Sequence, residues 1–201
     1  MSEAIRLTTT LVIICVLSAI TLSVTYDKTN PIIETNKAEA LNNALEDVLP
    51  AESFEEIEVG MSSIERVYKG FNNEGNVIGL VLLSERAGFQ DYITTLIGID
   101  LGARRVTKVN ILEHLETPGL GARIEEDEFL SRFEGYLVAD GVTKATVDAV
   151  TGATISSATV MSSVSESAEE ILRLIKEGRV EGVRFEEKEE ETVKERINQT
   201  E

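Results

Sequence analysis

Along this chain the spacing of apolar positions runs from continuous, to helical, to alternating, and back to helical. Residues 7–26 contain no charged side chain, and as a helix twenty residues span about 30 Å, the thickness of a bilayer core. The run has no polar face, which a helix packed on the outside of a soluble domain of this size would need. It is also longer than the apolar stretch of a signal peptide and is not followed by a clean A-x-A cleavage site before Tyr26. Its several threonines lower the hydrophobicity, but a threonine hydroxyl can bond back to a helix carbonyl. The pattern predicts an uncleaved single-pass anchor at 1–26. A short linker with Pro31 is expected at 27–33. A helix then follows over 37–49, capped by Asn36 with Glu39 reaching back, carrying Ala38, Leu41, Leu45 and Val48 on one face and ended by Pro50.

Beyond this the period shortens. Residues 64–71 and 77–83 read as strands joined by the turn-forming Asn72 to Asn76, and 92–99 and 105–112 as two more, split by Gly102. Connections this short suit antiparallel pairing, because parallel crossovers need more residues. Residues 126–133 form a short helix candidate with acid at its start. Helical spacing returns over 155–177, where Met161, Val164, Ala168, Ile171 and Ile175 mark one face and Gly178 is the natural stop. The segment 181–201 is dominated by charge and reads as a solvated acidic tail. These elements predict an α+β fold: an N-terminal transmembrane helix, then one domain over 27–180 with an antiparallel sheet and packed helices.

Composition narrows the function. The net charge of -17 argues against nucleic acid, since binding phosphates needs clustered Lys and Arg. A single histidine, His114, and a single cysteine, Cys15, leave little for a protein-built metal site or a Ser-His-Asp triad, and no internal disulfide. Arg6 and the amino terminus on one side, against Lys28 and Lys37 on the other, give the positive-inside rule no preference.

Residues 148–157, D-A-V-T-G-A-T-I-S-S, place small residues and hydroxyls where a loop enters the long helix. Unpaired N–H groups and the helix dipole favour an anion at such a point. Gly152 and Ala153 leave room for close approach, and Thr154 presents a hydroxyl that can be esterified. The same residue types also serve as ordinary helix caps, so the residues alone leave both readings open. Residues 116–121, E-T-P-G-L-G, make a tight turn in which Leu120 offers an apolar surface and Thr117 a polar edge.

The D-x-x-[ST]-G-A-T pattern, about thirty residues after E-T-P-G-L-G, resembles the flavinylation motif of FMN-binding domains. It is most similar to the G subunit of the Rnf electron-transport complex, with the C subunit of the sodium-translocating NADH:quinone reductase as a relative. The resemblance implies that a flavin transferase moves FMN from FAD onto Thr154, forming a phosphoester. Asp148, Thr151, Gly152, Ala153 and Thr154 make up the transferase motif, with Thr151 where serine is more usual. Thr117, Gly119, Leu120, Gly121, Gly152, Ala153 and Ser156 are implied to hold the cofactor. The implied function is a membrane-anchored electron carrier on the extracytoplasmic face of the cell membrane. It would sit among other Rnf subunits that couple ferredoxin:NAD electron transfer to Na⁺ or H⁺ translocation.

No dinucleotide fingerprint or nucleophilic cysteine stands in the chain, so independent substrate turnover is not expected. Alternative readings are the quinone-reductase subunit, or a membrane-anchored binding module without covalent flavin. His114 is expected to be a surface or strand histidine, and Tyr92 and Tyr136 core or interface residues. Lys144 is a candidate for phosphate or ring contact that the bland reading outweighs.

Overall fold

The computed structural model describes residues 3–57, 63–138, 147–180 and 182–183. The chain divides into two compact units, Met1–Asn42 and Asn43–Glu201. The described residues of the first are all helical, being part of α1, Glu3–Val48. Among the described residues α1 is the one helix long and apolar enough to cross a membrane. The hydroxyls of Thr8, Thr9, Thr10, Thr21 and Thr25 each donate to the carbonyl four residues back, which conceals their polarity as the sequence suggested.

The linker expected at 27–33 and the helix start at Asn36 do not occur. α1 runs through Pro31 without a break. Proline removes one backbone donor, the partner of the Asp27 carbonyl, and this stretch of helix is exposed, so water can take its place. The Thr35 hydroxyl donates to the Pro31 carbonyl and ties the next turn to it.

The second unit begins with the last turn of α1, where Ala44, Leu45 and Val48 are buried. Five strands follow in a meander of order β1-β2-β3-β4-β5: β1 Ser53–Ile57, β2 Arg66–Phe71, β3 Val77–Ala87, β4 Tyr92–Asp100 and β5 Arg105–Glu113. Every neighbouring pair is antiparallel, with Val67 opposite Leu82, Leu82 opposite Ile97 and Ile97 opposite Val109. The edge strand β1 was not expected, because S-F-E-E-I is short, acidic and mostly exposed and so lacks an apolar alternation. Its pairing with β2 holds it in place. In the β4–β5 turn the left-handed residue is Arg104, φ 55°, rather than Gly102, and the Asp100 carboxylate accepts from the Ala103 N–H at 2.7 Å.

The end of α1 is seated on the sheet. The Thr107 hydroxyl on β5 donates to the Val48 carbonyl, and a Cβ at Gly98 on β4 would collide with that same carbonyl. Lys108 Nζ and Asn110 Nδ2 donate to the two oxygens of Asp47 at 2.7 and 3.1 Å.

The stretch expected as one helix over 126–133 is built from shorter pieces. A 3-10 turn at Gly121–Glu125 leads into α2, Asp127–Leu130, and a second 3-10 turn follows at Ser131–Phe133. Burial of Phe129 and Phe133, stacked edge to face at 5.2 Å, sets that geometry. The last helix, α3, spans Thr154–Lys176, and its predicted apolar face is the buried one. It ends at Gly178, φ 69°, whose N–H bonds to the Ile175 carbonyl while that of Arg179 bonds to Leu174. Val160, Val164, Ile171 and Leu174 of α3 meet Leu80, Leu82, Ile97 and Val109 of the sheet in one core.

Candidate functional site

The loop before α3 is folded back onto the helix by buried groups. The Val150 N–H donates to the Ser157 hydroxyl at 3.1 Å, and the N–H groups of Ala153 and Ser157 bond to the carbonyls of Val150 and Ala153. Ala153 and Ser157 are buried, whereas Thr151, Gly152 and Thr154 are exposed. Gly152 has φ 85°, a conformation other residues rarely adopt, and a Cβ there would lie 3.2 Å from Leu120 Cδ2. The motif loop therefore rests against the 116–121 turn.

Thr154 is the first residue of α3, and the cap position falls to Ala153, which has no side-chain oxygen to offer. The capping reading of this segment is thus not what the chain does. The first-turn N–H groups lack a side-chain cap, and the positive end of the helix dipole is aimed at the same place. Among the described residues the Thr154 hydroxyl has no hydrogen-bond partner. It opens into a cavity of about 710 Å³ lined also by Arg86, Tyr92, Ile155, Ala158 and Ser162. Around the motif, Arg132 and Arg123 donate to the carbonyls of Asp148 and Thr151, at 2.9 and 3.4 Å.

The 116–121 turn is built on a buried carboxylate. Glu116 is only 4% exposed. Its Oε1 accepts from the backbone N–H groups of Phe89 and Gln90 at 2.8 and 3.1 Å, and its Oε2 from the Ser156 hydroxyl at 2.6 Å. Burial pushes this carboxyl up, but the bonds from Ser156 and from the Gln90 and Phe89 amides outweigh it and hold it below its usual range. A Cβ on Gly88 would collide with Oε1, and one on Gly121 would lie 2.7 Å from Oε2, so both glycines exist to let the backbone close around this side chain. Glu116 thereby ties together the β3–β4 loop, the 116–121 turn and the first turn of α3.

His114 holds the turn from behind. Its Nδ1 accepts from the Glu116 N–H at 3.0 Å, and its Nε2 lies 2.8 Å from Glu125 Oε1, contacts that suit a proton on Nε2. Gln90 Nε2 donates to the Thr117 hydroxyl at 3.0 Å, and the N–H groups of Leu120 and Ala122 close the turn on the Thr117 carbonyl.

The residues singled out from sequence thus meet in one place. Thr154, Gly152 and Leu120 share an exposed face, with Gly121 and Ser156 directly beneath and Thr117 at the edge. Gly119, φ 75°, stands at the tip of the turn with open space around it. The Ser156 hydroxyl is committed to Glu116. Tyr136 packs against the core, but Tyr92 is 56% exposed and lines the cavity instead of entering the interior. Lys144 lies outside the described residues. Glu116, Arg86 and Ile155 were not singled out as site residues, because only the folded chain brings them beside Thr154.

These features fit a phosphate-linked flavin: an unpartnered hydroxyl, uncapped helix amides, a glycine that admits close approach, and a cavity of the size that small-molecule sites have. Comparison with known proteins supports FMN binding in this segment. Residues 88–169, which contain the 116–121 turn and the 148–157 loop, match the family of the FMN-binding domain. The chain is 34% identical to the G subunit of the ion-translocating oxidoreductase complex of Methanosarcina acetivorans, covering 83% of this chain and 94% of that one. It is 27% identical to the G subunit of the proton-translocating ferredoxin:NAD(+) oxidoreductase complex of Clostridium ljungdahlii, over 82% and 90% of the two chains. It is 33% identical to the G subunit of the Na(+)-translocating ferredoxin:NAD(+) oxidoreductase complex of Acetobacterium woodii, over 67% and 73%. With the FMN-binding segment, the apolar N-terminal helix and nearly full-length likeness to such subunits all in one polypeptide, this chain belongs to the family of G subunits of Rnf-type ion-translocating oxidoreductase complexes.

Proposed function

We propose that this chain is the electron-carrying, membrane-anchored subunit of an Rnf-type complex and that it bears FMN as a phosphoester on Thr154. The observation that carries the reading is the Thr154 hydroxyl itself, exposed and, among the described residues, without a partner at the uncapped start of α3, within the segment that matches FMN-binding domains. A flavin transferase recognises Asp148 and the T-G-A-T segment. The Thr154 oxygen then forms the new P–O bond as the pyrophosphate of FAD breaks, AMP leaves and the hydroxyl proton is lost. Gly152 and Ala153 give the phosphate access to the amides of the first turn of α3. Leu120, with Thr117, Gly119 and Gly121, would flank the cofactor at its Thr154 end, and Ser156 positions that turn through Glu116. When bound, the flavin supplies exchange between one-electron and two-electron partners. The chain holds it in place, and its role in this reading is to carry electrons. By the names of its relatives, the electrons pass between ferredoxin and NAD, coupled to H⁺ or Na⁺ movement. Attachment by a covalent bond suits a domain on the extracytoplasmic side, where a dissociated cofactor would be lost.

The test is in-gel flavin fluorescence of denatured protein after co-expression with a flavin transferase. Wild type and Thr151→Ser are expected to fluoresce, and Thr154→Ala to be dark. A fluorescent Thr154→Ala band refutes the attachment site.

A further inference from the structure

Among the described residues Arg86 is the one basic side chain lining the cavity into which Thr154 opens. It sits near the end of β3, and its guanidinium is anchored by Glu166 of α3. Its Nε is buried and, among the described residues, has no hydrogen-bond partner. A buried guanidinium N–H left open costs stability unless something accepts from it. Other atoms of the side chain line the cavity, and the position along α3 says what they can meet there. Glu166 lies twelve residues beyond Thr154, about 18 Å along the helix axis. The chain next to Arg86 is pinned to the helix where the Thr159 hydroxyl donates to the Ala87 carbonyl, roughly 8 Å along it. The guanidinium therefore hangs between these two levels, well away from the phosphate end at Thr154. A flavin's ribityl chain runs from the phosphate to N10 of the central ring, beside N1, so a cofactor fixed at Thr154 and laid along the cavity brings the N1 and C2-carbonyl edge toward Arg86. Tyr92, Ile155 and Ala158 supply apolar surface on the way.

We propose that Arg86 is a cofactor-tuning residue that faces the N1 and C2-carbonyl edge of the flavin and stabilises its reduced, anionic form. This rests on the assignment of FMN to Thr154. Uptake of two electrons and one proton by the neutral oxidised ring leaves a negative charge shared by N1 and the C2 oxygen. A half-buried cation fixed beside it lowers the energy of that charge. Glu85, on the same wall, is exposed and screened by water, whereas Glu166, paired to the guanidinium, offsets part of its charge.

The experiment is a dithionite titration, with mediators, of the full chain in detergent after co-expression with the transferase, with loading checked by intact mass. Arg86→Gln is expected to keep its covalent flavin and to lose about tenfold of the preference for the reduced form, a fall in midpoint potential of about 30 mV for a two-electron couple. Arg86→Lys should keep most of the wild-type value. An unchanged potential in a loaded Arg86→Gln overturns the proposal. So does a folded Arg86→Gln that fails to load, because Arg86 would then serve the phosphate end. Should that variant fail to fold, Glu166→Gln decides: losing this half-exposed carboxylate leaves the Arg86 charge uncompensated, and the potential should rise. No change there overturns the proposal as well. An unloaded wild type instead removes the assignment of FMN to Thr154.

Discussion

Replacing Glu116 tests how the site is held together. Its carboxylate accepts three hydrogen bonds, from the amides of Phe89 and Gln90 and from the Ser156 hydroxyl, and is nearly shielded from water. A bond to a charged acceptor contributes about 1.5–3 kcal/mol, and a buried donor left without a partner costs about 1–3 kcal/mol. The side chains of Phe89 and Gln90 are exposed, so water can reach their amides once the carboxylate is gone, whereas the Ser156 hydroxyl stays buried. Glu116→Ala should therefore cost about 3–5 kcal/mol, less than the full sum of three charged bonds. Glu116→Gln keeps the volume and one acceptor oxygen for the two amides but points an NH₂ group at Ser156, and should cost about 1–2 kcal/mol. Chemical denaturation gives the stabilities, and amide hydrogen exchange gives the local effect. The Phe89 and Gln90 amides should exchange faster in Glu116→Ala by a larger factor than amides in the centre of β4. A Glu116→Ala protein within about 0.5 kcal/mol of wild type, with those two amides still protected, would refute the tethering role.

The same carboxylate predicts a pH dependence. Its folded pKa lies below the ordinary 4.5, so its contribution is complete above that value and is lost as pH falls through the folded value beneath it. The stability gap between wild type and Glu116→Gln should thus shrink as denaturation is repeated from about pH 6 down to about pH 3, and a constant gap contradicts the assignment. The two glycines of the 116–121 turn should behave differently. Gly121→Ala puts a Cβ 2.7 Å from Glu116 Oε2 and 3.2 Å from the Ser156 hydroxyl, and overpacking there should cost about 1–3 kcal/mol and lower flavin loading. Gly119→Ala meets no protein atom within 4 Å and carries only the left-handed backbone cost, about 1 kcal/mol; a stability loss at Gly121 no larger than at Gly119 contradicts a packing role for Gly121.

Much of this fold was legible because its signals are local. The Asn72–Asn76 turn could be read from its residue types, and in the structure the Asn72 side chain accepts from the Glu74 and Asn76 amides around Gly75, φ 80°. The buried face of α3 and its stop at Gly178 follow from helical spacing and a single glycine. Errors arose where a local signal was outweighed by its surroundings. Pro31 and Asn36 mark a break by their own preferences, yet the helix on either side continues through them. β1 has almost no apolar pattern and exists because β2 offers a pairing edge. The proposed attachment position was read from a short motif and a family resemblance. The network beneath it was not legible, since Glu116 meets Gln90 across 26 residues and Ser156 across 40, and Arg86 meets Glu166 across 80. No spacing in the sequence announces contacts that only the closed sheet and α3 create.

Everything proposed for the site depends on Thr154 being the point where the cofactor is attached. Tandem mass spectrometry of proteolysed protein, made with an active flavin transferase, reads that position. A peptide spanning 148–157 is expected to be heavier by one FMN less one water, with the fragment series placing the added mass on Thr154. An unmodified Thr154 in that preparation, or the same mass gain placed on Thr151, would contradict the assignment.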